Sequence, residues 1–189
     1  MTGFEFQKLK LDGVRLISSF FAGDARGGFT KTFKNDVFRD EGISFELSET
    51  FASVSSRNVV RGIHFQLERP QAKIVSVLSG RVIDIVVDLR PGSTTYTQWI
   101  AEELSETNHK SLYVPKGFGH AFAALEDGTI MLYQCEGEYL PDKDTGIVFN
   151  SPEIGIKWPI SEADMILSER DKNLMSFEEY NRIAKKGAK

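Results

Sequence analysis

Along most of the chain, apolar and polar residues alternate over short runs, the two-residue period of a strand whose faces meet different surroundings. Such runs occupy 14–22, 29–33, 43–55, 59–66, 72–80, 81–90, 95–104, 110–117, 119–125 and 128–140. Turn residues separate most of them, as at Arg90-Pro91-Gly92-Ser93 and Glu126-Asp127-Gly128. Many short strands punctuated in this way predict a mainly antiparallel β-sandwich or barrel, the jelly-roll type included. A short helix is expected near 34–41, and the segment from about Ser168 to Lys186 reads as helical. No repeat, low-complexity tract or linker interrupts the pattern, so one domain over 1–189 is expected.

Alternation also isolates residues that do not belong in a plain core. In RVIDIVVDLR (81–90), Ile83, Ile85, Val87 and Leu89 make one face, while Val82, Asp84, Val86 and Asp88 make the other. Asp84 therefore sits between two valines, either solvated on a partly exposed face or buried with a partner. In NVVRGIHFQ (58–66), Val60, Gly62, His64 and Gln66 share a face, and Arg61, Ile63 and Phe65 share the opposite one. Gly62 is where a bulge would re-aim Arg61. Parity alone settles neither case.

Composition narrows the class. Hydrophobic residues make up 41% and charged residues 26% of the 189, ordinary for a soluble globular protein. The net charge of −4 offers nothing to a nucleic acid or an anionic membrane. No apolar run approaches the roughly 20 residues of a membrane span. The start, MTGFEFQKLK, lacks the apolar core of a signal peptide, and the lone Cys135 excludes an internal disulfide. A cytoplasmic enzyme or binding protein is the expectation. The only histidines are His64, His109 and His120, none closely spaced, which disfavours an imidazole-rich metal site.

The order of motifs is more specific than any one of them. DARGGF (24–29), NVVRGIHFQ, QAKIV (71–75), GRVIDIVVDLR (80–90), VPKGFGHAF (114–122), LYQCEGEY (132–139) and ILSERD (166–171) follow one another along the chain. Together they closely resemble the dTDP-4-dehydrorhamnose 3,5-epimerase family, over about 14–171. The resemblance implies a metal-free, cofactor-free cupin-type jelly roll acting on a nucleotide-linked 4-keto-6-deoxyhexose. In such a sugar the C4 carbonyl acidifies the C3 and C5 protons, so each centre inverts through an enolate. That chemistry requires a base, a proton donor on the opposite face and a cation near the oxyanion.

The resemblance assigns His64 as base, Asp171 as the carboxylate that holds it, Tyr133 as the opposing acid and Lys73 as the cation. Asp84, His120 and Gln66 are implied to contribute to substrate binding, Arg26 and Arg61 to grip the diphosphate, and Phe29 to pack near the base. The segment from Arg26 to Phe29 is implied to reach a neighbouring subunit's site in a homodimer. Three departures stand out. Lys31 replaces the commoner glutamate and would suit a cytosine better, or point to solvent; Glu49, Thr50 and Phe51 replace a Gln-Asp-Asn run; and the loop from His64 to Lys73 is one residue shorter. The alternatives are a single-centre epimerase, a CDP- or GDP-sugar substrate, or a sugar-binding cupin without catalysis.

Overall fold

The alternating runs pair antiparallel and stack as two sheets, described in a computed structural model over residues 3–187. From edge to edge, one sheet runs β1 (Glu5–Lys8), β2 (Arg15–Ser18), β10 (Lys110–Val114), β7 (Ala72–Ser79), β12 (Thr129–Glu136) and β5 (Leu47–Ser55). The other runs β13 (Asp144–Gly146), β6 (Val60–Gln66), β11 (Phe118–Ala124), β8 (Arg81–Asp88) and β9 (Trp99–Ser105). A separate ribbon pairs β3 (Phe20–Asp24) with β4 (Gly27–Lys31). This is the antiparallel jelly-roll barrel expected.

Three apolar clusters hold it. Val75, Val82, Val86, Phe122 and Met131 fill the space between the sheets. Ile85, Val87 and Leu89 point the other way, under Ile147, Ile154, Phe177 and Tyr180 of the C-terminal segment. Strand β8 is thus buried on both faces, which explains its near-continuous apolar run. Asp84 is consequently fully buried rather than solvated. A third cluster centres on Phe38 of helix α1 (Asn35–Asp40), with Phe4 and Phe33 edge-on to its ring.

Several boundaries differ from the expected ones for local reasons. The run 14–22 divides at Ser19, where the chain leaves the large sheet for the ribbon. The run 95–104 begins pairing only at Trp99, because Ser93 and Thr95 are drawn into a turn around Asp88. The C-terminal helix is two pieces, α2 (Glu169–Lys172) and α3 (Phe177–Gly187). Between them Met175 bridges Ile147. Ser168 caps α2, and Ser176 with Glu179 forms a reciprocal capping box at α3.

Strand β6 carries the feature that matters most for function. Against β11, His64 pairs with His120 but Arg61 pairs with Phe122, so β6 holds one extra residue. That bulge falls at Gly62 and Ile63, and it turns Arg61 onto the face that His64 occupies. Gly62 has φ +115°, and a Cβ there would lie 2.6 Å from the His120 carbonyl oxygen and 2.7 Å from Ala121 Cα. Only glycine fits both the dihedral and the gap.

Two expectations follow. Gly62→Ala should destabilise the protein by about 2–4 kcal/mol, from backbone strain plus overpacking, and lower turnover further by displacing His64. Urea unfolding and steady-state rates check both, and an unchanged midpoint would refute the packing argument. The second concerns Asp88, whose buried carboxylate accepts bonds from Arg90, Ser93 and Thr95. Burial raises its pKa, but those donors together hold it well below the ordinary range. Its contribution is therefore complete above about pH 4 and is lost as pH falls towards the folded value. Asp88→Asn should cost about 1–3 kcal/mol near neutrality, with the gap to wild type closing in acid. A gap that widens in acid would contradict it.

Candidate active site

A cavity of about 470 Å³ opens between the sheets, lined among others by Arg61, His64, Lys73, His120 and Tyr133. Strands β6 and β11 supply the imidazoles from one sheet, while β7 and β12 supply Lys73 and Tyr133 from the other. Residues nearly seventy positions apart in sequence thus face each other because alternate side chains of both sheets point inward.

Asp171 lies behind His64. The imidazole Nε2 is 2.5 Å from Asp171 Oδ1, and the carboxylate is almost wholly buried. Its second oxygen accepts from Ser168 Oγ at 2.8 Å. Burial pushes the Asp171 pKa up, yet the His64 bond and charge, with donors from Ser168 and the Gly62 N–H, leave it below its ordinary value. An ionised Asp171 can only accept, so the ring proton sits on Nε2 and the lone pair on Nδ1. Among the described residues Nδ1 has no protein partner. That is the arrangement of an oriented base.

Tyr133 is buried, with its ring stacked on Phe51 at a centroid distance of 4.6 Å and an interplanar angle of 12°. Burial, with the Asp84 charge second, pushes its phenol far above the ordinary range. It is protonated at any working pH, as a proton donor must be. His120 is edge-on to that ring and bonds Asp84 Oδ2 through Nε2 at 2.8 Å. Burial raises the pKa of Asp84 against the opposing pull of His120, and Asp84 Oδ1 has no hydrogen-bond partner.

Two cations without an acidic partner among the described residues also line the cavity. The Arg61 guanidinium bonds Ser55 Oγ and the Val54 carbonyl, both at 3.3 Å, and so has neutral partners only. Its charge is available to an anion, as is that of the half-buried Lys73.

Not every expected residue converges here. The Gln66 amide is consumed by the loops: Nε2 donates to the carbonyls of Glu68, Arg69 and Glu138, and Oε1 accepts from the Leu140 N–H. These bonds fasten the wall, and Gln66 lines the larger adjoining cavity rather than this one, so it does not join the other residues for which the resemblance implies a substrate contact. Arg26, Phe29 and Lys31 lie on the β3–β4 ribbon, outside the cavity lining of their own chain. Arg26 pairs with Asp24, Phe29 is 57% exposed, and the Lys31 ammonium sits 5.8 Å from the Phe20 ring centroid.

Conversely, Tyr139, Asp144 and Arg170 line the cavity without having been singled out. Arg170 immediately precedes Asp171, a signal the sequence carried, whereas Tyr139 lies beyond the end of β12, where strand parity no longer applies. Asp144 pairs with Arg170 at 2.8 Å. A larger cavity of about 760 Å³ meets this one at Gln71, Lys73 and His120. Among the described residues no three of His, Cys, Asp and Glu converge as a metal site, and no helix is long and apolar enough to cross a membrane.

Comparison with known proteins finds relatives over nearly the whole chain. The family model for dTDP-4-dehydrorhamnose 3,5-epimerase matches residues 8–179. A dTDP-4-dehydrorhamnose 3,5-epimerase of Methanothermobacter thermautotrophicus is 41% identical over 174 residues, 92% of this chain and 94% of that protein. The crystal structure of a dTDP-6-deoxy-D-glucose-3,5-epimerase from Legionella pneumophila, in complex with dTDP-4-keto-L-rhamnose, superimposes with a TM-score of 0.89 at 32% identity, covering 93% of each chain. A 3'-monoepimerase from Streptomyces bikiniensis, in complex with dTDP-quinovose, follows with a TM-score of 0.85 at 28% identity, covering 93% of this chain and 89% of its own. The chain belongs to the dTDP-4-dehydrorhamnose 3,5-epimerase family.

Proposed function

We propose that this chain inverts C3 and C5 of a dTDP-linked 4-keto-6-deoxyhexose without a metal or organic cofactor. The observation that carries the reading is His64 on one sheet, backed by Asp171 of α2, opposing a buried, protonated Tyr133 on the other sheet. His64 Nδ1 takes the proton from the carbon next to the carbonyl, and the C–H electron pair moves through the new C=C bond to O4. The resulting enolate oxygen meets the Lys73 ammonium and the His120 edge. Tyr133 returns a proton to the opposite face of the carbon, inverting it. The phenolate so formed regains its proton from solvent, and the imidazolium releases its own.

Desolvation supports the sequence of transfers. A phenol whose pKa is far raised is a weak acid towards water, but the carbanionic carbon of an enolate is a stronger base still. Asp171, held ionised, stabilises the imidazolium that the first transfer creates. Arg61 would take the diphosphate as a planar donor fork, and the exposed ring of Tyr139 at the cavity edge offers a face to the base. The ligand of the Legionella relative favours the dTDP sugar. The ribbon bearing Arg26, Phe29 and Lys31 projects exposed Phe21 and Phe29, and it would complete the neighbouring site in a homodimer.

The 3'-monoepimerase among the structural neighbours gives the single-centre reading an observation of its own. Incubation with the dTDP-linked 4-keto-6-deoxy sugar in deuterated water separates the two. Two deuterons, at C3 and C5, are expected; one deuteron would establish the single-centre enzyme. His64→Ala should lower exchange at both centres by about 10²–10⁴-fold. Tyr133→Phe should retain exchange while net inversion falls, so equal loss in the two variants would overturn this division of roles. Turnover should also survive exhaustive chelation. Activity lost in EDTA and restored by a divalent ion would refute the metal-free reading.

A further inference from the structure

Of the three histidines, His109 is the one that the reaction leaves unused, and it lines neither cavity. It closes the turn between β9 and β10 with φ +50°, a left-handed conformation that histidine tolerates better than most residues. Asn108 fixes that turn. Its Oδ1 accepts from the N–H groups of Ser105 at 3.0 Å and Lys110 at 2.9 Å, and its Nδ2 donates to the Glu103 carbonyl at 2.9 Å. The His109 carbonyl accepts in turn from the Ser19 N–H at 2.9 Å, where the chain leaves the large sheet for the ribbon. A half-buried imidazole is therefore held rigidly at the root of the β3–β4 ribbon.

The ribbon has two unlike faces. Phe21 pairs with Thr30 and Gly23 with Gly28, so these four share one face; Phe20, Ala22, Phe29 and Lys31 share the other. On the first face the Phe21 ring lies over the glycine pair. A Cβ at Gly28 would collide with the ring at Cε2 and Cζ, and one at Gly23 would lie 3.2 Å from Cε1. The same ring stacks on His109, with centroids 4.0 Å apart and planes 9° from parallel. Thr30 Oγ1 lies 3.5 Å from His109 Nδ1, so both strands of the ribbon meet one imidazole. An isolated two-stranded ribbon is marginal by itself, so a contact from outside is what sets its pose. With Phe21 and Thr30 turned to His109, the face carrying exposed Phe29 is the one left to present.

We propose that His109 is a positioning residue: its stack on Phe21 holds the ribbon so that Arg26 and Phe29 are presented to the neighbouring site. The inference rests on the homodimer reading above and adds to it the group that orients the shared element. Ribbon contacts to a nucleotide, which does not react, are the same in the ground state and the transition state. Loosening the ribbon should therefore weaken binding without slowing the chemistry.

Steady-state kinetics with the dTDP-linked 4-keto-6-deoxy sugar provide the test. His109→Asn keeps a residue that tolerates the left-handed backbone but removes the ring. It should raise KM by about 3- to 10-fold, the worth of an aromatic pair, with kcat within about twofold of wild type. His109→Phe restores a flat ring and should bring KM back to within about twofold. In an Arg26→Ala/Phe29→Ala background, where the ribbon has nothing left to present, His109→Asn should add no further rise. Wild-type KM in His109→Asn, while the ribbon double variant raises it, would refute this inference alone. Wild-type KM in the ribbon double variant would instead refute the neighbouring-site reading, and this inference with it. A KM rise that persists in the ribbon background, or one that His109→Phe does not relieve, would place the effect in the turn and overturn the proposal.

Discussion

The bond between His64 and Asp171 ties together positions 107 residues apart, and much of the molecule exists to make it possible. Asp171 reaches the cavity only because the chain after β13 returns across the outer face of the five-stranded sheet. Ile147, Ile154, Phe177 and Tyr180 bury that return path against Ile85 and Val87. The Ser168 cap then sets the carboxylate, and the Gly62 N–H of the β6 bulge faces it from the strand side. One glycine serves both partners: its bulge turns Arg61 inward, and its amide helps keep Asp171 ionised. Removing either cluster contact or bulge would leave a histidine inside a barrel with no orienting group.

The cavity holds two His–Asp pairs whose environments diverge. Asp171 collects donors from Ser168 and a backbone amide as well as His64, and its pKa falls. Asp84 has His120 alone, an unbonded oxygen and complete burial, and its pKa rises. The same residue pair is thus tuned in opposite directions by hydrogen-bond supply against desolvation. Asp171, the carboxylate held ionised, stands behind His64. Asp84, the carboxylate pushed towards its neutral form, stands behind His120 on the Tyr133 side of the cavity, where on the proposed mechanism a second full anion would oppose the developing charge.

Much of this was legible in the sequence, and the failures share a cause. Strand periodicity found the barrel, and the ordered motifs singled out His64, Lys73, Tyr133 and Asp171, which the fold gathers at or just behind one cavity. Parity could not place Arg61, since a single inserted residue shifts the count and leaves no compositional trace. Nor could any pattern show that Gln66, though on the face of His64 by strand parity, has its side chain claimed by three loop carbonyls and a loop amide. Asp84 was undecided because one strand cannot reveal that the face it shares with Val82 and Val86 is covered by the opposing sheet. Tyr139 was hidden at the end of a predicted strand that in fact stops at Glu136. In each case the missing term was a long-range contact.

The distribution of departures from the family pattern has a physical logic of its own. His64, Lys73, His120 and Tyr133 sit on β6, β7, β11 and β12, strands with a hydrogen-bonded neighbour on both sides, where a changed side chain disturbs two partners and a packed core. Glu49 and Phe51 sit on β5, an outermost strand, and Lys31 sits on a two-stranded ribbon apart from both sheets. Side chains there lie at the cavity rim or outside it and pack against little else, so exchanging them costs the fold little. Phe51 shows the limit of that freedom, because its ring also packs on Tyr133 and so carries a change at the edge through to a reacting group. Recognition can therefore vary at the rim while the proton-transfer centre keeps its geometry, with Phe51 the point at which the two are coupled.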